Sequence, residues 1–212
     1  MQNFSAFTEN VIKQITLNGK KPSLLLHACC APCASYVIEY LCNYFDITIF
    51  YYNPNISPKS EYDFRLRELE RFIAENKDAK NIKILPCEYN SQEFYNIAKG
   101  LEEAKEGGER CKKCYELRLR KTAELAKANG FDFFTTTLTI SPYKNANWLN
   151  EIGEKIMEEF SVNYLFSDFK KKNGYKRSIA LSAEYNLYRQ DFCGCVYSKK
   201  EAELRRLEKT AD

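Results

Sequence analysis

The sequence is poor in glycine, with eight in 212 residues, and it contains no G-x-x-x-x-G-K run. That absence argues against a nucleotide-dependent enzyme built on a phosphate-cradling loop. No run of about 18 or more apolar residues occurs, and the start, MQNFSAFTENVIKQ, lacks the basic-then-apolar order of a secretory signal. A soluble, cytoplasmic protein with no membrane partner is expected, so its thiols should start reduced. Cysteine makes up about 4% of the chain, nine residues, well short of the roughly 8–10% of small secreted disulfide scaffolds. Internal repeats, low-complexity tracts and linker-like composition shifts are also lacking. With 44% hydrophobic and 29% charged residues, the chain reads as one domain, 1–212, with room for a real core.

What is present is a pattern in the cysteines. Seven of the nine fall into three tight groups, Cys29/Cys30/Cys33, Cys111/Cys114 and Cys193/Cys195. Such grouping in a cytosolic chain points to metal or redox chemistry. Cys42 and Cys87 sit in apolar runs and read as buried small hydrophobes. Net charge is only +3, yet residues 170–209 hold eleven Lys/Arg against five Asp/Glu. That local excess suits a polyanion such as RNA, or equally a solvated lysine surface.

Apolar, β-branched runs at 23–28, 46–53, 82–87, 132–138 and 162–166 alternate with helical patterns at 36–44, 61–76, 91–99, 112–129 and 146–160. Two further helices, 176–188 and 198–209, make the part beyond about 170 helical. Strands separated by helices predict an α/β fold, a parallel sheet with helices on both faces. The first cysteine loop then lies at the carboxyl edge of the sheet, where open α/β folds bind ligands.

Each cysteine group carries its own chemical argument. Adjacent Cys29 and Cys30 cannot easily bridge each other, so a metal explains the pair better; the nested Cys30-Ala-Pro-Cys33 is the thioredoxin-like rival. Cys111 and Cys114 share one face of a helix whose N-terminus, with Arg110, Lys112 and Lys113, is expected to favour thiolates. Four thiolates suit zinc and iron–sulfur clusters alike. Cys193-Gly194-Cys195 can close a disulfide only with strain, which favours a redox or metal role over a structural one.

HACCAPC (27–33), CKKCYELRL (111–119), TTTLTISPYKN (135–145) and GYKRSIALSAEYNLYRQDFCGCVYS (174–198) together resemble the epoxyqueuosine reductases of the QueH type. The resemblance implies a fold like the adenine-nucleotide alpha-hydrolase (HUP-like) group, and an oxidoreductase of tRNA queuosine biosynthesis with a [4Fe–4S] cluster. It implies Cys29, Cys30, Cys111 and Cys114 as cluster ligands and Cys193 with Cys195 as a redox-active pair. Cys33 becomes a ligand of an additional iron or other metal ion, and one of Cys29 or Cys30 can share that role. Partners are tRNA carrying epoxyqueuosine and an electron donor the sequence does not name.

Epoxide reduction also needs an acid. Tyr143, Lys144, Tyr188 and Asp191 lie in the resembling segments. Lys144, Arg177, Ser178, Tyr188 and Arg189 are candidate tRNA contacts, and the lone histidine, His27, reads as a structural or supporting residue. Two other readings fit parts of the pattern: a metal-free thiol–disulfide oxidoreductase, and a zinc-stabilised RNA-binding protein.

Overall fold

A computed structural model describes residues 3–210. Five strands, β1 (Ser23–His27), β2 (Asp46–Tyr51), β3 (Lys83–Pro86), β4 (Phe133–Thr136) and β5 (Asn163–Tyr164), form one all-parallel sheet in the order β3-β2-β1-β4-β5. Eight α-helices accompany them among the described residues: α1 (Phe4–Leu17), α2 (Ala31–Leu41), α3 (Lys59–Glu75), α4 (Ser91–Ala98), α5 (Glu109–Ala128), α6 (Ala146–Phe160), α7 (Gly174–Glu184) and α8 (Val196–Thr210). The parallel α/β expectation is met. No helix among the described residues is long and apolar enough to cross a membrane.

Side-chain alternation along β1 divides the core. Leu24 and Leu26 enter a cluster with Val37, Ile38, Leu69 and Phe72, while Leu25 joins Phe50, Leu119, Phe134 and Leu149 on the other face. A central strand covered on both faces must be apolar throughout, and Leu24, Leu25 and Leu26 are all fully buried. The chain winds outward from β1 to β2 and β3, then crosses back to β4 and β5. The order therefore reverses between β1 and β4. Such a switch point leaves a crevice outside the carboxyl ends of the strands, and β1 delivers the first cysteine loop directly into it.

Several boundaries differ from those read in the sequence, each for a local reason. The expected strand 132–138 stops at Thr136, whose Oγ1 accepts from the Leu138 N–H at 3.1 Å and turns the chain into a 3-10 segment, Thr137–Ile140. α2 starts five residues earlier than the apolar pattern, because Pro32 is tolerated in a first helical turn. α7 ends at Glu184 rather than 188, and Asn186 takes a left-handed φ of 47°. α1 was absent from the sequence reading altogether; Asn3 caps it, and Val11, Ile12 and Ile15 pack on the α2–α3 side of the sheet.

Candidate metal and redox site

Three helices begin at cysteines. β1 runs out through Ala28 and Cys29 into Cys30, the N-cap of α2, and Cys33 follows in the first turn. The Sγ atoms of Cys29 and Cys30 lie 3.8 Å apart, and with Cys33 all three sulfurs lie within 4.8 Å of one another. Two thiolates bound tetrahedrally to one ion at about 2.3 Å are separated by roughly 3.8 Å. This triad can hold a metal.

Cys111 and Cys114 occupy the first turns of α5. Gly107, in a left-handed conformation with φ 85°, donates its N–H to Cys111 Sγ at 3.2 Å. Buried Arg110 clamps the preceding loop through the carbonyls of Leu101, Glu102 and Ala104, and lies 4.3 Å from the Tyr197 ring centroid. Cys195 immediately precedes α8, where its Sγ accepts from the Ser198 N–H at 3.3 Å. Cys111, Cys114, Cys193 and Cys195 line one cleft, together with Asn55 and Arg118. Helix N-termini stabilise negative charge, so three of them opening on sulfur make this edge receptive to thiolates.

The triad and the cleft adjoin through Arg118. Its Nε donates to Cys114 O at 3.4 Å and Nη1 to Asn53 Oδ1 at 3.4 Å. Asn53 Nδ2 donates in turn to Ala28 O at 2.9 Å, beside the triad. Arg118 is 1% exposed, and its Nη2 has no hydrogen-bond partner among the described residues. Burial opposes its charge, but the neighbouring sulfurs of Cys114, Cys193 and Cys29 outweigh this and raise its pKa. Arg118 thus links the two segments, through the Cys114 carbonyl on one side and Asn53 on the other.

Burial, more than neighbouring charge, governs the thiols of the second segment. It pushes Cys114 up to about 12, with Arg118 opposing, and it raises Cys111 against the pull of the Gly107 N–H. Burial here outweighs the helix end and its cations, which the sequence reading expected to favour thiolates. In the triad, Cys30 and Cys33 hydrogen-bond to Cys29 and lower its pKa, and their own rise in return, that of Cys30 to about 12. A thiol bound to a metal gives up its proton regardless.

A family model described as "Epoxyqueuosine reductase QueH" matches residues 24–201. A protein of that name from Staphylococcus epidermidis is 42% identical over 99% of this chain and 90% of its own length. The one from Streptococcus pyogenes is 42% identical over 93% and 78%, and the one from Thermotoga maritima 35% identical over 87% and 96%. The chain belongs to the QueH family. Membership makes it an oxidoreductase.

The remaining candidates of this QueH chain separate into distinct places. Lys144 is half-buried on the loop after β4: burial opposes its charge, but the sulfurs of Cys193, Cys29 and Cys33 raise its pKa above the usual lysine range. Tyr143, its neighbour, is 81% exposed. Asp191 lies on the surface in an ion pair with Arg206 at 2.5 Å, which keeps its carboxyl below the usual range. It is ionised at neutral pH and cannot donate a proton there. Arg177 is spent on Glu39 at 2.6 Å, Ser178 is buried and bonded to Tyr175 O, Arg189 reaches Ser182 Oγ, and Tyr188 packs edge-on against Phe64. These four hold α7 and its following loop in place, apart from Lys144.

His27 is fully buried with both ring nitrogens engaged. Nε2 faces Tyr52 O at 3.0 Å and therefore carries the proton, leaving Nδ1 to accept from Thr136 Oγ1 at 2.9 Å. Burial first, and the Arg118 charge second, lower its pKa to about 3 and keep it neutral. Cys42 and Cys87 prove half-buried, not buried as expected, because each lies where its element meets solvent. The sequence reading missed Arg65, Arg118, Asn53 and Asn55. A signal existed for the arginines: both interrupt the apolar stripe of their helices, Arg65 between Tyr62 and Leu69, and Arg118 between Tyr115 and Leu119.

Proposed function

We propose that this protein reduces the epoxide of epoxyqueuosine at the wobble position of the tRNA anticodon, giving queuosine. The observation that carries the reading is a cysteine triad and a cleft lined by four more cysteines, bridged by Arg118 and Asn53, in a chain whose relatives bear the name of that reductase.

The residues fit an iron–sulfur centre. The donors are all sulfur, which suits zinc or iron–sulfur chemistry, and Nη2 of Arg118 is a buried donor lacking an acceptor beside them. A buried, unpaired donor costs about 1–3 kcal/mol, so an anionic thiolate–sulfide group there would relieve it. Cys29 or Cys30 with Cys111 and Cys114 would hold a [4Fe–4S] cluster. The close packing of the triad favours the arrangement in which Cys33 shares a separate iron with one of the adjacent pair. Bound there, these groups would supply electrons singly and a Lewis acid for the epoxide oxygen.

The chain's own residues would do the rest. Converting the epoxide to an alkene takes two electrons and two protons and releases the oxygen as water. Cys193 and Cys195 provide that inventory by closing to a disulfide. Lys144, whose pKa the neighbouring sulfurs raise, would relay one of those two protons to the departing oxygen and take it back from the thiol. An external donor then reopens the disulfide. Since Arg177 is paired with Glu39, the exposed Lys171, Lys176, Lys199 and Lys200, which have no ion-pair partner among the described residues, are better placed to neutralise tRNA phosphates.

The test is anaerobic purification with iron, sulfide and zinc quantitation, followed by mass analysis of nucleosides from tRNA incubated with the protein and a reductant. Iron and labile sulfide together with conversion to queuosine are expected. Stoichiometric zinc without sulfide and without conversion would instead make it a zinc-stabilised RNA-binding protein. Activity from colourless, metal-free protein would make it a thiol–disulfide oxidoreductase.

A further inference from the structure

Between the two loops that carry Cys29–Cys33 and Cys193–Cys195 lies an arginine with no assigned task. Arg65 belongs to the buried stripe of α3 and is 1% exposed. Its Nε donates to Glu61 Oε1 at 2.8 Å, and its Nη1 donates to the carbonyl of Cys193 at 3.1 Å. Its Cζ lies 5.1 Å from the ring centroid of Phe192. Gly194 has a φ of 122°, and a Cβ there would come within 3.1 Å of Arg65 Nη1 and 3.0 Å of Ile56 Cγ1. The loop is pinned from the same side by the Ser57 N–H, which donates to Gly194 O at 2.9 Å. Nη2 of Arg65 has no partner among the described residues; burial opposes its charge, but the nearby Cys30 sulfur and the paired Glu61 raise its pKa.

Burying a guanidinium costs several kcal/mol unless it is well paired, and an apolar side chain on this stripe would avoid that cost. The contacts made here are specific to one short loop. We infer that Arg65 is the positioning residue of the Cys193–Cys195 pair, holding its loop in register with the Cys29–Cys33 loop and setting how readily the two thiols close. The inference rests on the reading of these cysteines as the redox pair.

Its direction follows from which form makes the contacts. All nine cysteines are free thiols, so the bonds to Cys193 O and Gly194 O belong to the dithiol. Oxidation joins the two Sγ atoms and releases two protons and two electrons, which the substrate epoxide accepts. The loop must then contract into a strained ring. Contacts made by the dithiol and weakened in that ring favour the dithiol, so losing Arg65 shifts the equilibrium toward the disulfide.

The experiment compares the full-length protein with Arg65→Met and Arg65→Lys. Each is equilibrated anaerobically in glutathione buffers, and the Cys193–Cys195 disulfide is quantified by mass. Hydrogen exchange of segment 192–197 is followed in parallel. Arg65→Met is expected to move the equilibrium about fivefold or more toward the disulfide, the effect of one net hydrogen bond, and to speed exchange in 192–197 while β1 and β2 stay protected. Arg65→Lys, which keeps the charge without the fork, should fall between, and it carries both measurements if the methionine variant does not fold. Unchanged exchange in 192–197 overturns the positioning role whatever the thiols do. Faster exchange with an unmoved equilibrium overturns its redox consequence. A wild-type protein that forms no Cys193–Cys195 disulfide in any buffer overturns the redox-pair reading instead, and exchange alone then decides the role of Arg65.

Discussion

The first and last cysteine loops are held in opposite ways. Residues 28–33 are placed by regular structure: β1 pairs on both sides, Ala28 N–H donates to Phe50 O, and Cys30 caps α2. The 193–195 loop has no strand beside it among the described residues, and it is held by the distant Arg65 side chain at the Cys193 carbonyl, by the nearby Ser198 hydroxyl at the Gly194 N–H, and by the Ser57 N–H at the Gly194 carbonyl. The first arrangement is stiff because the sheet is stiff. The second rests on separate hydrogen bonds from several elements rather than on a ladder, which suits a segment that must change shape when a disulfide forms and opens.

The sharpest test of this contrast removes sulfur from the built side. Cys111→Ala or Cys114→Ala should lose iron, sulfide and turnover together, by more than the roughly 10–100-fold that loss of an outer partner costs a metal site. Full activity in both variants would defeat the ligand assignment. Cys193→Ser should keep the iron and lose turnover; loss of iron in that variant would move Cys193 into the ligand set. Gly194→Ala asks how tightly the held loop is fitted. Its φ of 122° and the 3.1 Å approach to Arg65 predict about 1–3 kcal/mol of strain, read as a lowered denaturation midpoint.

On the stiff side, His27→Leu removes the partner of both Tyr52 O and Thr136 Oγ1 and should destabilise the fold by about 1–3 kcal/mol. Retention of iron in that variant would confirm that the histidine is no ligand. The smallest effect belongs to Asp191→Asn. It breaks one exposed ion pair, worth about 0–1 kcal/mol, and should leave turnover within twofold. A large fall in turnover with unchanged stability would restore Asp191 as a catalytic group.

The contrast also explains what could be read from sequence. The Leu-rich β1 followed by HACCAPC announces a buried strand opening on a thiol loop, because strand, turn and helix cap are all local. The parallel sheet followed from the alternation of such segments. α1 was overlooked because its buried face, Phe4, Thr8, Val11, Ile12 and Ile15, includes a threonine and is interleaved with polar residues. The grouping of Cys111 and Cys114 with Cys193 and Cys195 spans about eighty residues and depends on how α5 and α8 meet. No local pattern encodes that meeting. The pairing of Arg177 with Glu39 was likewise not legible, because charge in sequence does not disclose a partner 138 residues away.

With its single imidazole withdrawn into the sheet and no carboxylate among the described residues that line the cleft, this edge offers an incoming ion sulfur and, beside it, little more than the amide oxygen of Asn55. A site of that composition is indifferent to magnesium and calcium, but it invites thiophilic intruders such as monovalent copper. Selectivity among soft metals must then come from the order of loading in the cell, since the donor atoms themselves do not impose it.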